Sequence, residues 1–329
     1  MKSKPYSNLN ANSLNTDTLV KKYMILKHLG EGGYSDVYLI KDIFTNEKYA
    51  LKILKKLSPD FMNEIELYKK ISQLKGANII RLIAFGEQNF ILNNNVERKQ
   101  YMILDYAEKG QLFDYIYKLK VPFKEKHAKV IFYKILKTVK VMHDNHICHR
   151  DLKAENIVLD GNFNPKICDF GLSIKINPKI NKGKIKSKVG TNHYKAPEIW
   201  KEEIHDSCKA DIFSLGVILI NLITCKYGFL LAISSDDFYK FILNKKYEIY
   251  WETIGEQIDI NNLSQEFKDL YLKMVQYEQK DRIKSIKHIM EHPWFQEILS
   301  LSQEEFDNLE EEILQNFLSR ELKIKLLKE

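Results

Sequence analysis

The feature that most constrains this chain is the segment at residues 149–156, which reads His-Arg-Asp-Leu-Lys-Ala-Glu-Asn, together with the later triplet Asp169-Phe170-Gly171. The two stretches bring acids, bases and an amide close together and supply no serine or cysteine nucleophile. Such a set suits a reaction in which an incoming group is aimed and a metal-bound polyphosphate is held still. The alternative is a chance run of surface residues, and it requires the spacing to be accidental.

Both stretches match the protein-kinase patterns H-R-D-L-x-x-x-N and D-F-G at every defined position. The chain therefore resembles a eukaryotic-type serine/threonine protein kinase. His292-Pro293-Trp294-Phe295 and the segment from Leu112 to Ile116 resemble the calmodulin-dependent and AMP-regulated kinase groups.

The rest of the chain predicts an α+β protein with the two-lobed kinase fold. Strand-like segments with glycine-containing turns come first, at residues 23–26, 36–40, 49–54, 79–85 and 101–106, and one helix opens after Pro59. A polar loop is expected at residues 89–100. From Gln111 onward the pattern is mainly helical, and the helix at residues 127–144 carries regularly spaced apolar residues.

We expect a disordered leader at residues 1–22 and a kinase domain at 23–295, with an N-lobe at 23–104, a hinge at 105–110 and a C-lobe at 111–295. Residues 296–329 form a C-terminal tail. Its Ser302-Gln303-Glu304-Glu305 run predicts a capping box that opens an amphipathic helix. This helix either packs on the large lobe or serves as a regulatory or partner-binding tail.

The resemblance implies an ATP site built around a glycine turn and a strand lysine. Glycines in such a turn let backbone N–H groups approach phosphate oxygens, although an ordinary glycine hairpin is the alternative. Lys52 would grip the phosphates with Glu64 as its partner; a solvated strand lysine and Glu66 are the alternatives. The implied ATP-binding residues are Leu29, Gly30, Glu31, Gly32, Gly33, Tyr34, Ser35, Asp36, Val37, Ala50, Lys52, Glu64, Asp105 and Ala107.

The resemblance also implies the catalytic and metal residues. Asp151 would accept or orient the proton of the substrate hydroxyl, and Lys153 would neutralise charge on the transferring phosphoryl group. Asn156 and Asp169 would bind Mg²⁺. ATP and Mg²⁺ are the implied cofactors. The family associates Lys153, and Gly190-Thr191 before Ala196-Pro197-Glu198, with serine/threonine specificity.

The stretch between Asp169 and Glu198 is rich in lysine and has no acid, so we expect it to be mobile when unmodified. Ser187 lies where related kinases carry an activating phosphate, and Arg150 would pair with that phosphate. Ser187, Thr191 and Arg150 are therefore the predicted regulatory residues. The alternative is that Ser187 is an exposed loop serine without a role.

The family pattern also predicts two supports of the site: a buried ion pair between Glu198 and Arg282, and Asp211 capping the catalytic loop. Ser35, Asn192 and Phe213 depart from the pattern. Two acids that often select basic substrates appear as Gln111 and Asn221, which leaves Glu155. We therefore expect a weaker preference for arginine upstream of the target.

Composition bounds the remaining possibilities. The four cysteines form no Cys-x-x-Cys pair, which favours a reducing, cytoplasmic location, with the nucleus left open. A net charge of +7 without a continuous basic run argues against nucleic-acid binding, and the longest apolar run, residues 212–224, is too short to span a membrane. The expected partners are protein substrates with serine or threonine and an upstream kinase. The rival functions are a pseudokinase scaffold and a small-molecule phosphotransferase.

Overall fold

The computed structural model describes residues 22–92, 95–180, 184–255 and 263–327. These residues form two compact units. The first holds the described residues up to Ser72 together with Ile80–Ala107, and the second holds Gln73–Ile79 and the described residues from Glu108 onward. The predicted leader, apart from Lys22, lies outside the described residues.

A five-stranded antiparallel sheet forms the first unit, with strand order β1-β2-β3-β5-β4. Alternate residues of β2 and β3 point into a core that contains Tyr38, Ile40, Leu51, Ile53 and Ile103. Its elements are β1 (Tyr23–Glu31), β2 (Ser35–Asp42), β3 (Lys48–Leu54), α1 (Phe61–Ser72), β4 (Leu82–Leu92) and β5 (Asn95–Asp105).

The polar loop predicted at residues 89–100 is wrong, because β4 and β5 continue through it as a paired hairpin. Phe90 is 2% exposed and its ring lies 6.0 Å from that of Tyr101. The strand predicted at 79–85 also starts later, at Leu82, and Ile79 instead bridges to Ile167 in the second unit. Because β4 is an edge strand, it tolerates polar side chains that resemble a loop in the sequence.

The second unit is mainly helical, and most residues of its helices α3 and α5 are buried. The predicted apolar residues of α3, among them Val130, Ile135 and Met142, are buried. The helices are α2 (Leu112–Tyr117), α3 (Glu125–Asp144), α4 (Pro197–Trp200), α5 (Ser207–Thr224), α6 (Tyr239–Leu243), α7 (Tyr247–Gly255), α8 (Gln265–Met274), α9 (Ile286–Met290), α10 (Gln296–Leu299) and α11 (Gln303–Leu326). Short strands complete the unit: β6 (Gly110–Gln111), β7 (Ile147–Cys148), β8 (Ile157–Leu159), β9 (Pro165–Ile167), β10 (Ile174–Lys175), β11 (Lys184–Lys186) and β12 (Ile204–Asp206).

Helix α5 is the apolar centre of this unit. By length and composition it could cross a membrane, with a mean hydropathy of 1.5, but 83% of it is buried inside the protein. The expectation that residues 212–224 are too short was wrong about length, because the helix begins at Ser207 and has 18 residues. A buried core helix has the same composition, and the burial of α5 is what favours that interpretation.

The predicted capping box at the start of α11 is present: Ser302 Oγ accepts from Glu305 N, and Ser302 N donates to Glu305 Oε2. The helix packs on the rest of the second unit through Phe317, whose ring is stacked on that of Phe163 with centroids 5.0 Å apart. Arg320 is 4% exposed and donates to the carbonyls of Tyr115, Val121 and Pro122. The structure shows the packed helix, and a regulatory or partner-binding role of the tail stays a prediction.

Candidate active site

A buried lysine–glutamate pair joins the sheet of the first unit to its helix. Lys52 lies on β3, and its Nζ is 3.0 Å from Oε1 of Glu64 on α1. Both side chains are largely buried, at 12% and 8% exposed, whereas Glu66 faces solvent. Glu64, and not Glu66, is therefore the residue that holds the lysine ammonium.

The glycine turn connects β1 to β2 and is closed by a hydrogen bond from Gly32 N to Ser35 O at 2.8 Å. A Cβ atom at Gly30 or Gly33 would meet no atom within 4 Å, so the space beside this backbone is open. Tyr34, at the tip, is 83% exposed. These features leave room for a phosphate group to approach the backbone N–H groups.

The other predicted ATP-binding residues of the first unit lie on the sheet or at the end of the unit. Glu31 pairs with Lys55, so its carboxylate already has a cation. Asp105 ends β5 and receives two hydrogen bonds from Arg81, at 2.7 and 3.2 Å. Both carboxylate oxygens of Asp105 thus already have a hydrogen-bond donor. The remaining predicted positions are Leu29 on β1, Asp36 and Val37 on β2, Ala50 on β3, and Ala107 where the first unit ends.

In the second unit, the Asp151 carboxylate is surrounded by donors. Thr191 Oγ1 donates to Oδ1 at 2.7 Å, and Lys153 Nζ lies 2.8 Å from Oδ2. Asn156 Nδ2 donates to Asp151 Oδ2 at 3.2 Å and to its backbone carbonyl at 2.9 Å. Lys153 also donates to Thr191 Oγ1 at 2.8 Å. The sequence-predicted residues Asp151, Lys153, Asn156 and Thr191 therefore form one network.

The two predicted metal ligands, Asn156 and Asp169, lie on neighbouring backbone segments. Cys168 N donates to Asn156 O at 3.0 Å, which brings the next residue, Asp169, beside Asn156. Asp169 has a φ of +66°, a left-handed conformation that is uncommon for residues other than glycine. The Asn156 amide nitrogen donates to Asp151, and the amide oxygen is the atom of this side chain that could bind a metal.

Asp211 braces the catalytic loop as predicted. Its two carboxylate oxygens accept the backbone N–H groups of His149 and Arg150, each at 2.8 Å. His149 in turn lies against the ring of Phe170, with centroids 5.4 Å apart. This bracing fixes the backbone on the N-terminal side of Asp151, where Arg150 has a left-handed φ of +68°.

Parts of the lysine-rich segment are paired with strands. β10 pairs with β7, and β11 pairs with β12. Ser187 follows β11, and its Oγ accepts a hydrogen bond of 2.6 Å from Arg150 Nη2. Arg150 Nε is buried without a hydrogen-bond partner among the described residues, and burial lowers the pKa of this guanidinium. Ser187 and Arg150 line a common pocket.

The predicted ion pair of Glu198 and Arg282 is present and buried. Arg282 donates to both carboxylate oxygens, at 2.9 and 3.0 Å, and the two residues are 2% and 3% exposed. Where the family usually has tryptophan, Phe213 packs its ring 5.1 Å from the Arg282 guanidinium carbon. The Glu198 end of the lysine-rich segment is thereby attached to the helical core.

Gln111 and Asn221, the two positions where related kinases often have an acid, differ in their surroundings. Gln111 is exposed at the start of α2, whereas Asn221 is fully buried on α5 and donates to Tyr194 OH at 3.4 Å. Tyr194 OH also donates to Glu155 Oε2 at 3.4 Å, and burial is the main cause of a raised pKa at Glu155. The sequence did not single out Tyr194, whose contacts depend on the packing of α5. The weaker preference for arginine stays a prediction.

Sequence reasoning also missed His143. Its Nε2 lies 2.9 Å from Asp211 Oδ2, beside the catalytic loop. Burial alone would lower the pKa of His143, but the neighbouring Cys208 and Asp211 outweigh it and raise that pKa to about 10. No sequence motif indicates this contact, because 68 residues separate the two partners.

The chain matches known proteins over most of its length. The protein kinase domain family matches residues 23–295. Maternal embryonic leucine zipper kinase of Xenopus laevis is 32% identical over 287 residues, which cover 84% of this chain and 40% of that protein. SNF-related serine/threonine-protein kinase of Homo sapiens is 33% identical over 278 residues, covering 83% of this chain and 33% of that protein.

A plant relative has a similar identity to this chain. CBL-interacting serine/threonine-protein kinase 20 of Arabidopsis thaliana is 32% identical over 281 residues, covering 84% of this chain and 59% of that protein. The chain thus spans 33% to 59% of the length of these three curated relatives. The two-lobed α+β expectation agrees with the antiparallel sheet of the first unit and the helices of the second. The chain therefore belongs to the protein kinase domain family.

Proposed function

We propose that this chain transfers the γ-phosphoryl group of ATP to serine and threonine hydroxyls of protein substrates. The observation that carries the proposal is the Asp151 carboxylate, which is held by Thr191, Lys153 and Asn156 at 2.7 to 3.2 Å. Two of the relatives are serine/threonine-protein kinases by name. An intact network of this kind supports an active enzyme over a pseudokinase scaffold.

In the proposed reaction, Asp151 orients the substrate hydroxyl and accepts its proton. Its side chain is 9% exposed and is bonded through both carboxylate oxygens, so it is already oriented for the reaction. Lys153 carries the positive charge nearest to Asp151 and would stabilise charge on the transferring phosphoryl group. Thr191 links the two residues, which keeps the lysine ammonium next to the carboxylate.

The residues present fit ATP and Mg²⁺. Lys52, held by Glu64, would contact the α- and β-phosphates, and the open glycine turn would offer backbone N–H groups. Asn156 and Asp169 would bind Mg²⁺ through oxygen, the atom type that this ion prefers. The Asn156 amide nitrogen donates twice to Asp151, so the amide oxygen is the atom that would bind the ion. Held by these two residues, Mg²⁺ would supply positive charge to the phosphates.

The direct test is phosphate transfer from γ-labelled ATP to a generic protein substrate, followed by phosphoamino-acid analysis. We expect label on serine and threonine, and none on tyrosine. Chelation of divalent cations is expected to abolish the transfer. Absence of label above that of heat-inactivated protein would favour the pseudokinase, and label on a small molecule alone would favour a small-molecule phosphotransferase.

Phosphorylation of Ser187 is the regulation that we propose for this site. A phosphate there would accept from Arg150 Nη2, now 2.6 Å from the hydroxyl, and would offer acceptors to the buried Nε. One charge-assisted hydrogen bond contributes about 1.5–3 kcal/mol, so full phosphorylation is expected to raise activity by about tenfold or more.

The Ser187 prediction is tested by mass spectrometry and activity before and after incubation with ATP or a phosphatase. Wild-type activity should follow the phosphate at Ser187, whereas Ser187→Ala should stay at the low level under both treatments. Ser300→Ala, a serine outside this segment, should behave as the wild type. If phosphatase leaves wild-type activity unchanged, Ser187 has no regulatory role.

We propose a cytoplasmic location, supported by four cysteines that are all free. The proposed partners are protein substrates and an upstream kinase that would modify Ser187.

A further inference from the structure

Three metal-ligating side chains converge behind the catalytic loop. His143 lies in the last turn of α3, Cys148 on β7, and Cys208 in the first turn of α5. One ring nitrogen of His143 and the two sulfur atoms all lie within 4.8 Å of one another. The three residues come from separate elements, so their convergence is a product of the tertiary fold.

His143 has the support that metal-binding histidines usually have. Its Nε2 is 2.9 Å from Asp211 Oδ2, and the Asp211 side chain is 1% exposed. A histidine that donates one ring N–H to a carboxylate is fixed in orientation, and a metal would bind the other ring nitrogen in exchange for its proton. Asp211 is itself held by the backbone N–H groups of His149 and Arg150.

The two thiols lie beside the imidazole, and an ion bound there would displace their protons. Cys148 is fully buried, whereas His143 and Cys208 are partly exposed and leave an approach for an ion.

We propose that His143, Cys148 and Cys208 form a binding site for a thiophilic divalent cation, with Zn²⁺ as the ion that fits this ligand set best. Zn²⁺ takes Cys and His ligands in tetrahedral geometry, and three protein ligands leave a fourth position for water. Because no two of the ligand atoms are more than 4.8 Å apart, an ion at their centre lies at most about 2.8 Å from each, so shifts of about 0.5 Å or less reach the usual zinc–sulfur distance.

The same two sulfur atoms could instead form a disulfide, but the histidine favours the metal. A disulfide needs only Cys148 and Cys208, whereas the imidazole within 4.8 Å of both sulfurs, braced by Asp211, is a feature that a metal site needs. Bound Zn²⁺ would join α3, β7 and α5 beside the backbone that leads into Asp151. We expect it to raise the thermal stability of the protein.

The site is tested with Co²⁺ as a spectroscopic probe, on the full chain after chelation and reduction with a non-thiol reductant. The wild type should bind one Co²⁺ per chain, with thiolate charge-transfer and tetrahedral d–d absorption that added Zn²⁺ abolishes. Changes in outer-shell partners alone weaken metal binding by about 10- to 100-fold. Loss of a direct ligand, in Cys208→Ser or His143→Gln, should weaken it by more than about 100-fold.

Cys225→Ser is the matched control, because Cys225 is a buried cysteine at the other end of α5 and should keep the cobalt spectrum. Circular dichroism of each variant checks that the fold is retained. Zn²⁺ should raise the melting temperature of the wild type and of Cys225→Ser, but not that of Cys208→Ser. The proposal is overturned by a wild type without cobalt bands or by the same spectrum in Cys208→Ser. A Cys148–Cys208 disulfide in the isolated protein, with no cobalt binding after reduction, would identify a redox pair instead.

Discussion

Asp151→Asn is expected to lower phosphate transfer by about 10²- to 10⁴-fold, the usual contribution of a positioned general acid or base. The replacement keeps the size of the side chain and removes its negative charge. Its oxygen can still accept from Lys153 and Asn156, and its new amide can donate to the Thr191 hydroxyl. The variant should therefore fold normally and fail in the reaction.

The measurement is the initial rate of label transfer at saturating ATP, together with the melting temperature of each protein. Asp237→Asn is the matched control, since it makes the same chemical change at a side chain that is 88% exposed. The control should have the activity of the wild type. Equal rates for Asp151→Asn and the wild type would contradict the role given to Asp151.

The residues of the reaction could be predicted from the sequence because they lie in short motifs. Asp151, Lys153 and Asn156 are within six positions, so the local backbone brings them together once the motif is known. Lys52 and Glu64 lie further apart, but a buried strand lysine needs a partner, and the following helix offers one. Both sets of contacts therefore depend mainly on residues close in the sequence or on neighbouring elements, and little on the packing of distant segments.

The features that the sequence missed depend on tertiary packing. The hairpin of β4 and β5 was hidden because most side chains of an edge strand can be polar, and Phe90 alone gives little periodicity. His143 and Cys148 lie close together in the sequence, but their partner Cys208 comes from the distant helix α5, so no metal-binding spacing is visible. The burial of Asn221 likewise follows from the position of α5 in the core.

Arg282→Met is expected to lower the free energy of unfolding of the second unit by about 3–5 kcal/mol, the usual cost of removing one partner of a buried pair. Glu198 would be left 3% exposed without its cation. The carbonyls of Gln276 and Lys209 would also lose the bonds that Arg282 donates, at 2.7 to 3.2 Å. Denaturant unfolding measures the change through tryptophan fluorescence, because Trp200, Trp251 and Trp294 all lie in this unit.

Two further variants separate the buried charge from the loss of packing. Lys287→Met removes an exposed cation beside Glu291 in the same unit and should cost at most about 1 kcal/mol. In Glu198→Gln combined with Arg282→Met, the uncompensated carboxylate is absent. The double variant should therefore be more stable than the sum of the single changes predicts, by about 0.5–3 kcal/mol. Strict additivity would mean that the two side chains stabilise the segment independently, and that the bidentate contact itself contributes nothing.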